Sequence, residues 1–445
     1  MAETDTDAAD RFQARISSEK EVGGFGLWRR YKKLPRNVVT IGLVSLLNDA
    51  SSEIIYPLLP IFLSLTLGAS PSIVGIIEGA AESVSGLLKL FAGYFSDRRG
   101  KRKGFVVLGY ALAGFARPLL AFATSWYQVL AIRLTDRVGK GIRGAPRDAM
   151  IADSAGVQER GLAYGFHRAM DNVGAVVGPL IGYALVLLLA DNRSSPTASD
   201  FTQIFLFASI PALAAVLVAV FFVKESSRNK EVLKETTRIT EVSPELTNVP
   251  KARLSLRGFD RNFKVFLAII ALFTLSNSSD AFLLLRAQSA GISAETIPIL
   301  WAMLHVSKVL SSLIGGDLSD RLGRKRLIVS GWILYAAVYA GFAFATQTIS
   351  IWILFLIYGI YFGLAEGAEK ALVADLVRSE QRGTAFGLYN LAFSITVFPA
   401  SLLMGAVWSL WGAAPAFLMS ATMGTIAALL MLVLVKSPDH QRVSA

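Results

Sequence analysis

The sequence predicts an all-α integral membrane protein, twelve transmembrane helices arranged as two parallel six-helix repeats. Three observations predict this. The 445 residues are 53% hydrophobic, and apolar residues fall in near-continuous blocks such as Phe105–Ala123, Phe205–Val223 and Ala413–Val435. Basic residues gather in alternate connections between the blocks. Two separate segments recur at nearly one spacing.

Blocks of about 17–25 apolar residues have the length of a bilayer-crossing helix. Lipid offers the backbone no partners, so only helices and closed barrels cross it, and these blocks lack a barrel's alternation. Residues 1–36 precede the first span; Met1–Asp10 is acidic and polar, no cleavable signal is expected, and residues to about Gly23 are expected to be disordered. Six spans are expected across residues 37–223: Asn37–Leu67, Ser72–Ser96, Phe105–Ala123, Tyr127–Arg147, Gly161–Leu189 and Phe201–Val223. Residues 224–264 are charged, contain Pro244 and Pro250, and read as a cytoplasmic linker with some helix. Six more spans are expected across 265–435: Val265–Arg286, Thr296–Asp317, Leu327–Thr346, Ile349–Leu376, Gly383–Trp408 and Ala413–Val435, with a cytoplasmic tail at 436–445.

A formal charge of +11 invites an anionic or nucleic-acid partner. The distribution argues otherwise. Arg29, Arg30, Lys32, Lys33 and Arg36 precede the first span, Arg98–Lys103 follow the second, 224–264 follow the sixth and Arg321–Arg326 follow the eighth. Gly68–Pro71, Thr124–Trp126 and Gln347–Ser350 carry no Lys or Arg. This alternation is the positive-inside pattern. It puts both termini in the cytoplasm of a multi-pass protein, in a bacterial inner (plasma) membrane, with no nucleic-acid partner. The chain has no cysteine, and contains neither a phosphate-binding glycine loop nor a His-Glu-x-x-His motif. No enzyme chemistry, cofactor or metal is expected.

The recurrence sets the organisation. Gly93-Tyr-Phe-Ser-Asp97-Arg98-Arg99-Gly100-Lys101-Arg102-Lys103 returns as Gly316-Asp-Leu-Ser-Asp320-Arg321-Leu322-Gly323-Arg324-Lys325-Arg326, Asp97 and Asp320 standing 223 residues apart. Ala152-Asp153 through Arg160-Gly161 returns as Ala374-Asp375 through Arg382-Gly383, Arg160 and Arg382 standing 222 apart. Equivalent points separated by six helices make the repeats parallel. In the first motif glycine permits a tight connection with positive φ, and the Asp can accept from a helix N-terminus or pair with an Arg. A gating role is expected for Gly93, Asp97, Arg98, Gly100 and Arg102, and for Gly316, Asp320, Arg321, Gly323 and Arg324; the alternative is simple positive-inside anchoring.

These loops resemble motif A of the major facilitator superfamily, present in both halves. Arg133 in the fourth span resembles the Arg of its motif B. Gly165, Gly174, Gly178, Pro179 and Gly182 in the fifth span resemble motif C, which in that family goes with proton-coupled drug exporters. Asp49 followed by Pro60 resembles a first-helix motif of the same exporters. The resemblance implies the major facilitator fold, alternating access, and efflux of a small molecule by proton antiport, by a monomer in the lipid bilayer. Glycines four apart allow close helix approach, and this helix is expected to pack against its counterpart Gly383–Trp408.

Charge within the spans is the strongest functional signal. Asp49 and Glu53 share a face of the first span, Glu78 and Glu82 of the second, and Arg133, Asp136 and Lys140 of the fourth. Arg117, Arg137, Asp171, Lys89 and Arg168 add to them. A charge at mid-membrane costs about 2.5–3.5 kcal/mol on insertion scales, so each should face the interior with a partner. The proton-coupling and substrate set is Asp49, Glu53, Glu78, Glu82, Arg117, Arg133, Asp136, Arg137 and Asp171. Within it Asp49, Glu53 and Glu82 are expected to take protons, with Arg133 and Arg137 as switching partners; an ion-pair network that merely holds the spans in register is the alternative. Lys89, Arg168 and His167 read as structural. The second half is sparser in charge within its spans, so the first half is expected to be the coupling half; Trp301, Tyr361 and other aromatics of the second half read as a substrate wall or as packing residues. Two other functions stay open: a proton symporter importing a small organic anion, and a non-transporting sensor on the same fold.

Overall fold

A computed structural model of the chain describes residues 34–99, 101–156, 159–225, 256–378 and 381–436. The N-terminal segment, most of the linker and the end of the tail lie outside it. So do Gly100 and the side chains of Asp97, Arg98 and Asp320. The described residues form twelve long helical segments and no strand.

The helices are α1 (Arg36–Thr66), α2 (Pro71–Arg99), α3 (Lys103–Phe122), α4 (Trp126–Ser154), α5 (Arg160–Leu189) and α6 (Ala198–Phe222), then α7 (Arg261–Ser289), α8 (Ile297–Leu322), α9 (Arg324–Phe344), α10 (Thr348–Asp375), α11 (Arg382–Trp411) and α12 (Ala413–Leu434). Among the described residues, nine of these are long and apolar enough to cross a membrane. Of the other three, α2 and α4 carry charges singled out above, and α8 has a shorter apolar stretch, Ile297–Ser312, among the described residues.

Two helices are interrupted. In α1, Pro57 and Pro60 each remove a backbone donor, and the chain passes through a turn at 56–58 and a short helical stretch at Leu59–Ile61 into π-helix at Phe62–Thr66. In α7 the helix stops at Ser276 and restarts at Ala281. The broken turn is not left unsatisfied: Tyr335 donates its hydroxyl to Ser276 O at 2.6 Å, and Ser279 N donates to Ser401 Oγ at 3.2 Å. Non-helical backbone at membrane depth is tolerated where it is buried in protein or lines a cavity.

The same packing recurs in each half. α1 lies on α5 and α6, α4 on α2 and α3, and α3 on α6; in register with these, α7 lies on α11 and α12, α10 on α8 and α9, and α9 on α12. Asn37 pairs with both backbone groups of Lys224, donating to its O at 3.0 Å and accepting from its N at 3.0 Å. Asn262 makes the same pair with Lys436, both bonds at 2.9 Å. Each half is thus clipped where its first helix starts and its sixth ends. The two halves meet along α2–α11 and α5–α8.

The two recurring segments touch each other in both halves. Arg102 pairs with Asp153, and Arg324 with Asp375. Arg160 donates to Ala152 O at 3.2 Å, and Arg382 to Ala374 O at 3.3 Å. In each half a basic residue of the loop between the second and third helices therefore ties that loop to the end of the fourth. Gly323 joins α8 to α9 at φ 85°, a backbone region that disfavours every residue with a Cβ.

The glycine face of α5 meets α1, not α11 as the sequence suggested. A Cβ on Gly174 would stand 3.1 Å from Asp49 Cβ, and one on Gly178 would stand 2.5 Å from Ala50 O and 2.8 Å from Glu53 Cβ. Gly165 faces nothing within 4 Å. Gly178→Val should therefore lower the thermal unfolding temperature in detergent, at a cost of about 1–3 kcal/mol for an overpacked contact. Gly165→Val is the control and should unfold like the parent.

Candidate functional site

Between the halves lies a cavity of about 560 Å³. On the side of the sparsely charged loops it is sealed by contacts between halves: Ser72 Oγ donates to Gly405 O at 3.0 Å, Tyr56 and Ser279 hydroxyls lie 3.5 Å apart, and Ala294 N donates to Ser194 O at 3.4 Å. Toward the basic-loop side its walls run on through Glu366, Lys370, Asn390 and Phe393. There the described contacts between halves include Ser83 Oγ donating to Ser394 O at 2.5 Å on the α2–α11 seam and the long, exposed pair Arg168–Glu366 at 3.9 Å.

Charge in the cavity is balanced. Six acids line it (Asp49, Glu53, Glu82, Asp280, Glu366 and Glu369) and six bases (Arg117, Arg137, Lys140, Arg143, Lys308 and Lys370), with His305. Half of the acids come from each half of the chain. The first half, expected to be the richer in charge, supplies seven of these twelve groups and the second half five. The second-half residues were visible in the sequence, but their grouping needed the break in α7 and the convergence of α8 and α10.

The first-half set divides into two layers. Beneath the cavity floor Arg133 makes a closed fork with Glu78, Nε to Oε1 at 3.0 Å and Nη2 to Oε2 at 2.7 Å. Both side chains are almost fully buried. Arg117, which also lines the cavity, donates to Asp136 at 3.1 Å and to the backbone and side-chain oxygens of Asn48 at 2.8 and 3.1 Å. These groups hold α1, α2, α3 and α4 together. Arg133 therefore is not in contact with Asp49, Glu53 or Glu82, as a switching partner would be. Asp171 does not line the cavity; it faces His167 at 3.4 Å.

The second layer faces the cavity. Arg137 reaches Glu82 at 3.2 Å, and Lys140 reaches it at 3.8 Å. Arg143 lies over the Tyr110 ring at 4.5 Å and donates to Gly109 O at 3.3 Å. Asp49 accepts from Asn48 Nδ2 at 2.8 Å. Glu53 reaches across to the other half: Trp301 Nε1 donates to it at 2.7 Å, and His305 Nε2 lies 3.8 Å away. Among the described contacts, neither Asp49 nor Glu53 forms an ion pair with Arg or Lys. Glu369, on α10, accepts from Trp332 Nε1 and Tyr389 OH, each at 2.8 Å.

The sequence pattern of the Major Facilitator Superfamily matches residues 41–394 and again 265–445. An uncharacterized MFS-type transporter of Methanocaldococcus jannaschii is 35% identical over 407 residues, covering 90% of this chain and 95% of the relative. A multi-drug resistance efflux pump homolog of Lactococcus lactis is 23% identical over 371 residues, covering 80% and 84%. The crystal structure of a D-xylose-proton symporter superposes with a TM-score of 0.71 at 18% identity, covering 91% of this chain and 98% of that one. At that identity the likeness speaks for the fold. Sequence pattern, relatives and fold agree that this chain belongs to the major facilitator superfamily, as a multi-pass, non-enzymatic membrane transporter.

Proposed function

We propose that the protein exports a small molecule by proton antiport, through alternating access between its two halves. The observation that carries this reading is the contact between the glycine face of α5 and the two acids of α1: Gly174 lies against Asp49 and Gly178 against Glu53. The helix whose pattern resembles that of proton-coupled exporters is thus the helix that sets the depth and rotation of two cavity carboxylates. Among the described contacts neither carboxylate pairs with an Arg or Lys that would keep it ionised, and burial disfavours the charged form of a group without such a partner. A carboxylate of that kind is suited to gain a proton on one face of the membrane and lose it on the other. Glu53 has a further property. Its bond to Trp301 spans the halves, so its charge state bears on whether they stay closed at that level.

In this reading Arg137 is the switching cation, because it shares Glu82 with Lys140 at the cavity wall. The cavity sealed on the sparsely charged side is the inward-facing state, with both termini in the cytoplasm. Purified protein in liposomes with an imposed pH gradient tests the assignment. Substrate should move against the proton flux. Movement with the protons would overturn antiport in favour of symport. Proton-independent inertness toward every compound that binds would favour a sensor.

A further inference from the structure

The break in α7 places four consecutive polar residues, Asn277, Ser278, Ser279 and Asp280, on the cavity wall, within the span. A discontinuous helix at that depth is a frequent substrate-site element in transporters. Here the acid at its end is already occupied, by a cation belonging to the protein itself. Lys308 Nζ lies 3.3 Å from Asp280 Oδ2, while Tyr358 OH donates to Asp280 Oδ1 at 2.8 Å. The same ammonium lies 3.7 Å from the centre of the Phe362 ring, 5.6 Å from Trp301 and 6.0 Å from Tyr358. Ring faces carry negative potential and attract a cation within about 6 Å. One carboxylate and three aromatic faces thus converge on a single ammonium.

The cage is not sealed. The side chains of Lys308 and Asp280 are each 19% exposed, and both line the cavity. Two polar atoms beside it lack hydrogen-bond partners: the buried Ser278 Oγ, and His305 Nε2. Unpaired buried polar atoms are costly, and a ligand can satisfy them. The chemistry of the cage is one-sided. With Lys308 removed, what remains is Asp280, three ring faces and, beyond Trp301, the carboxylate of Glu53. An anion placed there would meet two acids; a cation would replace the one lost.

We propose that this cage is a substrate subsite for an organic ammonium group, and that Lys308 is a tethered occupant which the substrate displaces. The proposal rests on the transport reading and supplies its substrate class. The aromatic walls further select a cation carrying an apolar body. The tethered lysine keeps Asp280 neutralised while the cavity is empty, and competition with it weakens substrate binding enough to permit release. No bond is made or broken; the exchange is of one cation for another at Asp280.

The test is binding to the purified full chain in detergent, without any gradient, so that its outcome is independent of proton coupling. Two probes of similar size and opposite charge are titrated by calorimetry, benzyltrimethylammonium and phenylacetate. The parent should bind the cation and not the anion. Lys308→Ala should bind the cation about tenfold tighter or more, each tenfold being about 1.4 kcal/mol, and Asp280→Asn added to it should abolish that gain. Should Lys308→Ala fail to fold, Lys308→Gln replaces it, and Phe362→Leu, folded by thermal melt, should weaken the cation. Binding of phenylacetate that Lys308→Ala abolishes would overturn the proposal, making Lys308 an anion ligand. Weaker cation binding in Lys308→Ala, or no cation binding in any variant, would overturn it too. Antiport driven by a pH gradient with no cation binding would leave the coupling reading standing and remove this one.

Discussion

Asp49→Asn and Glu53→Gln, singly and together, should abolish gradient-driven transport while leaving substrate exchange intact. A gradient of one pH unit is worth about 1.4 kcal/mol per proton, so a coupled carrier can sustain an accumulation ratio of about tenfold for each proton it moves. A variant that cannot exchange that proton should sustain none of it. Counterflow of labelled substrate across liposomes at equal pH needs no proton movement and should persist. Both changes are nearly isosteric, and neither removes the partner of an Arg or Lys, because Asp49 is bonded to Asn48 and Glu53 to Trp301. The variants should therefore fold. Glu53→Gln has a second expected effect: an amide can accept from Trp301 but carries no charge, so it mimics the protonated acid and should bias the halves toward one arrangement. Persistence of full gradient-driven accumulation in the double variant would remove α1 from the coupling path.

Much of the fold was legible in the sequence because the lipid imposes simple rules. Apolar block length gave the spans, and the two offsets, 223 and 222, gave the parallel halves. That Arg102 would meet Asp153, and Arg324 meet Asp375, was not read, although both partners lay in the recurring segments. Recurrence marks equivalence between halves, not contact within one. The site was legible in inventory and not in wiring. Spacing put Arg133, Asp136 and Lys140 on one face of α4, but that face curves over two layers, and spacing along one helix cannot tell which layer a side chain enters. Glu53 with Trp301, and Asp280 with Lys308, needed helix pairs that no local pattern specifies. The glycines of α5 were read correctly as a close-packing face and assigned the wrong neighbour for the same reason.

Arg133→Leu should destabilise the protein more than any single change at the cavity wall. The guanidinium and the Glu78 carboxylate form a two-bond fork in which each side chain is 5% exposed or less. Taking one partner away leaves a buried charge uncompensated, at a cost of about 3–5 kcal/mol. Replacing both with apolar residues of similar volume removes the desolvation penalty together with the attraction, and such exchanges are often neutral. Arg133→Leu with Glu78→Leu should thus recover most of the unfolding temperature lost in Arg133→Leu alone. Arg137→Leu is the contrast. Its partner Glu82 is 34% exposed at the cavity and retains Lys140 at 3.8 Å, so the charge left behind is still paired and partly hydrated. That variant should melt near the parent and fail in transport. The pattern separates two arginines one helical turn apart that the sequence had given the same work. If Arg133→Leu instead melted like the parent and lost only proton coupling, the fork with Glu78 would be a working switch, and the motif-based role of Arg133 would stand in place of the structural one.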